Sequence, residues 1–143
     1  MAHTMAEKYF VDTNILIYAH DRAAGIKHER ARQLIERLWT NGQGVLSTQV
    51  LQELSVNLRR KVANPISVDE LRGLIRDYLS WEIVTNSPEA VIQALEIEVR
   101  YQTSFWDALI LQAAEQAGAA VMYSEDLAGK QRYGAVQVVN PLV

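Results

Sequence analysis

Short apolar runs and helix-period repeats alternate along this chain, and that alternation sets the order of the elements. Lys8 to Val11 is a brief β-rich run, and Asp12-Thr13-Asn14 directly after it marks a strand end turning into a helix. Ile15 to Tyr18 continues as a short apolar helical segment, closed by Asp21 and Gly25. From Ile26 to Trp39 the positions Ile26, Ala31, Leu34, Ile35 and Leu38 recur near helical spacing with charges between them, which predicts an amphipathic helix ended by Asn41-Gly42 and Gly44. Val45-Leu46 is a strand candidate. Ser47 or Thr48 caps a helix to about Val62, with Val50, Leu51, Leu54 and Leu58 on one face, before Asn64-Pro65 breaks it.

The second half repeats the alternation. Ser67-Val68-Asp69-Glu70 is a capping box opening a helix through Tyr78. Trp81 to Val84 reads as a third strand. Ser87-Pro88-Glu89 supplies a cap, a proline in the first turn and an acid, and starts a helix to about Tyr101. Ser104 opens another helix, Phe105 to Ala117, stopped by Gly118. Ala120 to Tyr123 is expected to be the most clearly buried strand, and Val136 to Val139 the last, before Pro141. Strands alternating with helices predict an α/β fold, a three-layer α/β/α sandwich around a central, mainly parallel sheet. Residues 6–143 are expected to form one domain, with neither repeats nor linkers. Met1 to Met5 reads as an appended leader, with Met5 as the native start.

Composition narrows the function classes. The chain has no cysteine, which excludes disulfides, thiolate metal sites and cysteine chemistry. Its apolar runs are too short for a transmembrane helix, and no signal peptide is legible. No membrane association is therefore expected. The net charge of −3 argues against nucleic-acid binding through bulk basicity, yet leaves room for an enzyme with a few cations around an acidic centre.

Four acids fall where such a centre would form. Asp12 follows the first strand, and Asp126 comes three residues after the strand ending at Tyr123. Asp107 lies in the first turn of the helix begun at Ser104, and Glu53 in the early turns of the helix begun near Thr48. In an open parallel sheet, ligands gather outside the carboxyl ends of the strands, where the following helices also begin. Clustered carboxylates raise one another's pKa, and a hard divalent cation relieves that cost. Such a site suits phosphodiester hydrolysis. Each acid also has a structural account: Asp107 fits a Ser104-x-x-Asp107 capping pattern, Glu53 a solvated helix position, Asp126 a turn, and Asp12 divides evenly between cap and site.

Taken together, Val11-Asp12-Thr13-Asn14-Ile15-Leu16-Ile17-Tyr18, Gln52-Glu53-Leu54, Phe105-Trp106-Asp107-Ala108-Leu109-Ile110 and Tyr123-Ser124-Glu125-Asp126-Leu127 resemble the PIN-domain family, most closely the VapC-type ribonuclease toxins of bacterial toxin–antitoxin pairs. The likeness extends from Tyr9 to Leu142. It implies an acidic pocket binding Mg²⁺ or Mn²⁺, with Asp12, Glu53 and Asp107 matching the three acids most regularly found there and Asp126 the fourth. It further implies a pocket-organising role for Ser124, where the family often has Thr or Ser, and for Asn14 an amide that orients an acid or a water. An endoribonuclease follows from the resemblance, with RNA as substrate, a cognate antitoxin as partner, a homodimeric state and a cytoplasmic location.

The basic run Arg59, Arg60 and Lys61 is either favourable charge at a helix C-terminus or a contact to RNA phosphate. Lys130 and Arg132 are either solvated loop residues or further phosphate contacts. His20 and His28 are expected at the surface, without zinc spacing. Trp39, Trp81 and Trp106 are expected in the core or at a subunit contact, with RNA stacking as the other reading. Two competing functions are a PIN-fold RNA-binding scaffold that does not cleave and a receiver-like signalling module. The second fits poorly, since no acid follows Val84 and Lys130 is badly placed for a receiver.

Overall fold

The sheet grows outward from its central strand, β1 (Tyr9–Val11). The computed structural model describes residues 7–127 and 131–143, so the expected leader and Lys130 lie outside the described residues. After β1 come α1 (Thr13–His20), a single 3-10 turn at Arg22–Ala24, α2 (Ile26–Asn41), β2 (Gly44–Ser47), α3 (Thr48–Arg60), α4 (Val68–Tyr78) and β3 (Glu82–Val84). The chain continues through α5 (Pro88–Tyr101), α6 (Phe105–Ala117), β4 (Val121–Tyr123), β5 (Arg132–Tyr133) and β6 (Val136–Val139).

The six described strands form one sheet in the order β3-β2-β1-β4-β6-β5, parallel throughout except for the antiparallel β5–β6 pair. Helices flank it, giving the expected α/β/α sandwich. The first half of the chain fills one side of β1 and the second half the other, so the strand order reverses between β1 and β4. Loops on either side of such a reversal diverge, leaving a crevice at the carboxyl ends of the strands. Two backbone bonds lock it: Asp12 N donates to Tyr123 O at 2.9 Å, and Ser124 N to Val139 O at 3.0 Å.

Local chemistry accounts for the helix ends. Ser47, Ser67, Ser87 and Ser104 each accept, through the side-chain oxygen, a backbone N–H of the first turn that follows. Gly118 closes α6 at φ +74°. Inside lie Phe10, Val11, Ile15, Leu16, Leu46, Val50, Leu54, Leu58, Met122 and Val138, all fully buried or nearly so.

Four expectations are corrected here. Buried on every residue, β2 is the most enclosed strand; β4 is only half-buried at Val121 and Tyr123, where Tyr123 stacks on Tyr9 at 5.7 Å. Antiparallel β5 was not foreseen, because two residues carry no readable alternation. His20 is not a surface residue: its Nε2 lies 2.7 Å from the Tyr78 hydroxyl, and burial pushes its pKa down to about 4, with the charge of His28 acting the same way. Of the tryptophans expected in the core or at a subunit contact, Trp81 is in the core, Trp39 is at its margin, and Trp106, 62% exposed, lies outside the core, which corrects only the core part of that expectation.

Candidate functional site

All four acids reach the crevice. A pocket of about 510 Å³ is lined by Asp12, Glu53, Asp107 and Asp126, together with Thr13, Asn14, Gln49, Lys61 and Trp106 among others. Each acid arrives by a different route: Asp12 from the end of β1, Glu53 from the second turn of α3, Asp107 from the first turn of α6, and Asp126 from the loop after β4. Widely separated in sequence, they share this wall because β1 and β4 are neighbours and α3 and α6 start above the same sheet edge.

Asp12 is the most constrained. It is buried, at 6% exposure, and both carboxylate oxygens are engaged: Oδ1 accepts from Thr13 N at 2.7 Å and Oδ2 from the Ser124 hydroxyl at 2.8 Å. Burial pushes its pKa up to about 7. Those two hydrogen bonds oppose the rise, and the nearby charges of Asp107 and Glu53 add to it. Asp107 is also raised, chiefly by burial; a hydrogen bond with Ser104 opposes this, while Asp126 and Glu53 push the same way as burial. The acids therefore feel one another electrostatically.

The supporting residues form a connected frame. Fully buried Ser124 donates to Asp12 while its oxygen accepts from the amides of Asp126 and Leu127 at 3.2 and 3.4 Å. One hydroxyl thus ties the first acid to the loop bearing the fourth. Asn14 Oδ1 accepts from Glu125 N at 3.3 Å and holds the same loop from the other side. Glu125 in turn accepts from the Tyr18 hydroxyl and from Lys27 Nζ, each at 2.6 Å, and these partners hold its pKa down.

Two positions in the frame were not singled out from sequence. Thr13 Oγ1 donates to Glu53 Oε1 at 2.6 Å. Gln49 Nε2 donates to Glu53 Oε2 at 3.3 Å and to Trp106 O at 3.1 Å. The Gln49–Glu53 spacing of four residues on one helix was the available signal. Thr13 carried none, since its partner lies on another helix.

The basic candidates separate. Lys61 lines the pocket and is the only cation doing so among the described residues. Arg59 and Arg60 are exposed in the last turn of α3 and do not line it. Arg132 pairs with Gln137, level with the amino end of β4, on the far edge strand. That is the opposite end of the sheet from the acids, because β5 folds back along β6.

The donor set is suited to a hard cation. It is made of carboxylate oxygens, and two buried amide atoms on pocket residues, Gln49 Oε1 and Asn14 Nδ2, have no hydrogen-bond partner. An orphan acceptor and an orphan donor beside the acids match a hydrated ion and the water or phosphate oxygens around it. Among the described residues, no three acidic or imidazole groups are gathered tightly enough to hold an ion as they stand. The fit therefore requires Asp107 and Asp126, both less buried than Asp12, to draw in towards Asp12 and the Glu53 carboxylate that Thr13 and Gln49 hold.

Comparison with known proteins agrees with this architecture. The chain is similar in fold to VapC20 of Mycobacterium tuberculosis, described as a sarcin-ricin loop cleaving toxin: TM-score 0.65, 24% identity, over 83% of this chain and 90% of that one. It is also similar to a toxin–antitoxin complex from Klebsiella pneumoniae, with TM-score 0.69 and 19% identity over 94% and 98%. A third likeness is to DNA-bound VapBC from Salmonella typhimurium, with TM-score 0.62 and 20% identity over 93% and 97%. No curated protein matches. The PIN domain family profile matches residues 9–133, which span β1, the four acids and the reversal of strand order. A match of that extent, on a chain whose sheet brings those acids to one crevice, makes this protein a member of the PIN-domain family.

Proposed function

We propose that the protein is a metal-dependent endoribonuclease and the toxin of a toxin–antitoxin pair, located in the cytoplasm. One observation carries this reading: four carboxylates from four separate segments line a single crevice, and the most buried of them is held protonatable near neutrality. A carboxylate buried at such cost has few structural justifications, whereas a bound cation removes the penalty.

Asp12, Asp107, Glu53 and Asp126 would hold Mg²⁺ or Mn²⁺, which when bound supplies charge neutralisation at phosphate and acidifies water. The chain's own residues do the rest. Thr13 and Gln49 fix the Glu53 carboxylate, and Ser124 fixes Asp12 and the Asp126 loop together. Asn14 Nδ2 offers a donor to a water or phosphate oxygen, and Lys61 a cation to the RNA backbone. The solved toxin–antitoxin complexes of similar fold support an antitoxin partner. An exposed apolar strip on α5, of Ile92, Leu95 and Val99, supports a homodimer. No described helix is long and apolar enough to cross a membrane.

Incubation with total RNA in Mg²⁺ or Mn²⁺ tests the reading. Cleavage should occur, and EDTA or Asp12→Asn should abolish it with the fold intact by circular dichroism. Cleavage that survives either treatment refutes the mechanism, and tight Mn²⁺ binding without turnover would make the protein a non-cleaving scaffold.

A further inference from the structure

Of the three tryptophans, the one beside the acids is the one left in solvent. Trp106 is 62% exposed, whereas Trp81 is 8%. It immediately precedes Asp107 and lines the acidic pocket, flanked there by Val56, itself 49% exposed. Its backbone is fixed, since its carbonyl accepts from the buried Gln49 amide, which also holds Glu53. Its ring is propped on one side by Phe105, edge to face at 5.2 Å and 78°. A large apolar ring left in water on an anchored backbone, at the mouth of a polar pocket, is suited to a flat apolar ligand.

The charge balance indicates which ligand. The chain carries a net charge of −3, and Lys61 is the only described cation on this pocket. With so few side-chain cations on it, the pocket leaves much of the hold on a polyanion to the metal and to uncharged contacts. Base stacking is the uncharged contact that every nucleotide can make. We propose that Trp106 is the stacking platform for an unpaired nucleobase next to the cleaved phosphate. A base inside a duplex has both faces covered and cannot use the ring. This rests on the nuclease reading above and adds to it a residue that holds the substrate.

The test compares wild type, Trp106→Ala, Trp106→Phe and Trp106→Leu on a fluorescein-labelled 12-nucleotide single-stranded RNA and on copies made abasic at each position in turn. Binding of the same RNAs to these variants in an Asp12→Asn background is read by fluorescence anisotropy. Stacking of this kind is lost at a cost of about 5- to 150-fold per base. Trp106→Ala should raise KM or Kd by that amount with little change in kcat, Trp106→Phe should restore most of it, and Trp106→Leu should not. At one abasic position the alanine substitution should cost nothing further. Salt dependence of binding should be shallow. Equal losses on intact and every abasic RNA, or full function in Trp106→Leu, would overturn the proposal by making the ring a structural or merely apolar element. Unchanged RNA binding in Trp106→Ala with weakened inhibition by a partner protein would also overturn it, placing the ring in a protein interface. Should the wild type cleave no RNA, the nuclease reading fails, while anisotropy still decides the stacking.

Discussion

The buried carboxylate at Asp12 should make the metal-free protein less stable than a variant lacking that charge. Its pKa stands near 7 in the folded chain against an ordinary 3.8, with burial as the main cause. The sign follows from proton counting. Between those two values the folded state binds the proton more strongly than the unfolded one, so stability falls as pH rises through that window and levels off above it. The full difference is about 4 kcal/mol. Asp12→Asn removes the charge, and the bond from Ser124 is already counted in that difference because it opposes the rise. Near pH 7.5 in EDTA the variant should therefore be more stable by about 4 kcal/mol, or roughly 12 °C in Tm for a chain of this size.

Urea denaturation at pH 7.5 and pH 5 measures it. About 2–3 kcal/mol of the gap should disappear at the lower pH, because there Asp12 is protonated in the folded state and the unfolded carboxyl is only about one pH unit from its own midpoint. Other titrating groups cancel in the difference between the two proteins. Added Mn²⁺ should stabilise the wild type by mass action and leave the variant nearly unmoved. A variant less stable than wild type at pH 7.5, or a gap independent of pH, would refute the reasoning.

Two further outcomes concern the opposite end of the molecule. Gly44→Ala should destabilise the fold by about 1–3 kcal/mol in urea denaturation, since a Cβ there would stand 2.3 Å from the buried Trp81 ring and force it to shift. His20 is held neutral by burial, with a pKa near 4, so the unfolded state binds its proton first and wild-type stability should fall as pH drops from 6.5 towards 4. His20→Gln should flatten that slope when stability is compared at pH 6.5 and pH 4.5; an unchanged slope would show that the imidazole is not enclosed.

How much of this was legible depended on whether the signal was local. The Ser87-Pro88 and Ser104…Gly118 boundaries are dictated by bonds within one turn of the chain, and α5 begins, and α6 begins and ends, where those residues place them. The sheet's parallel character followed from alternation. Features set by distant neighbours were not readable. His20 looks polar in sequence yet is covered by Tyr78, 58 positions away, and Thr13 acquires its role only when α3 brings Glu53 alongside. Arg132 seemed close to Asp126 along the chain, but the β5–β6 hairpin carries it to the other end of the sheet.

Asp107 shows why a capping pattern and a functional site are not alternatives. Ser67-x-x-Glu70 and Ser104-x-x-Asp107 look alike in sequence, and in both the serine hydroxyl accepts from the third residue's amide at 3.1 Å. Only the first completes the box, with the Glu70 carboxylate accepting from Ser67 N at 3.3 Å. Among the described residues the second stops halfway: aspartate is one methylene shorter, and the Asp107 carboxylate lines the pocket instead. Ser104 alone fixes the helix start, which leaves the acid to be placed at the helix N-terminus, where the backbone dipole favours its charge. Asp12 is itself the N-cap of α1 and receives Thr13 N–H there. The fold thus offsets part of the cost of gathering anions by presenting two of them at helix N-termini, and the remainder, visible as the raised pKa values of Asp12 and Asp107, is what a cation would relieve.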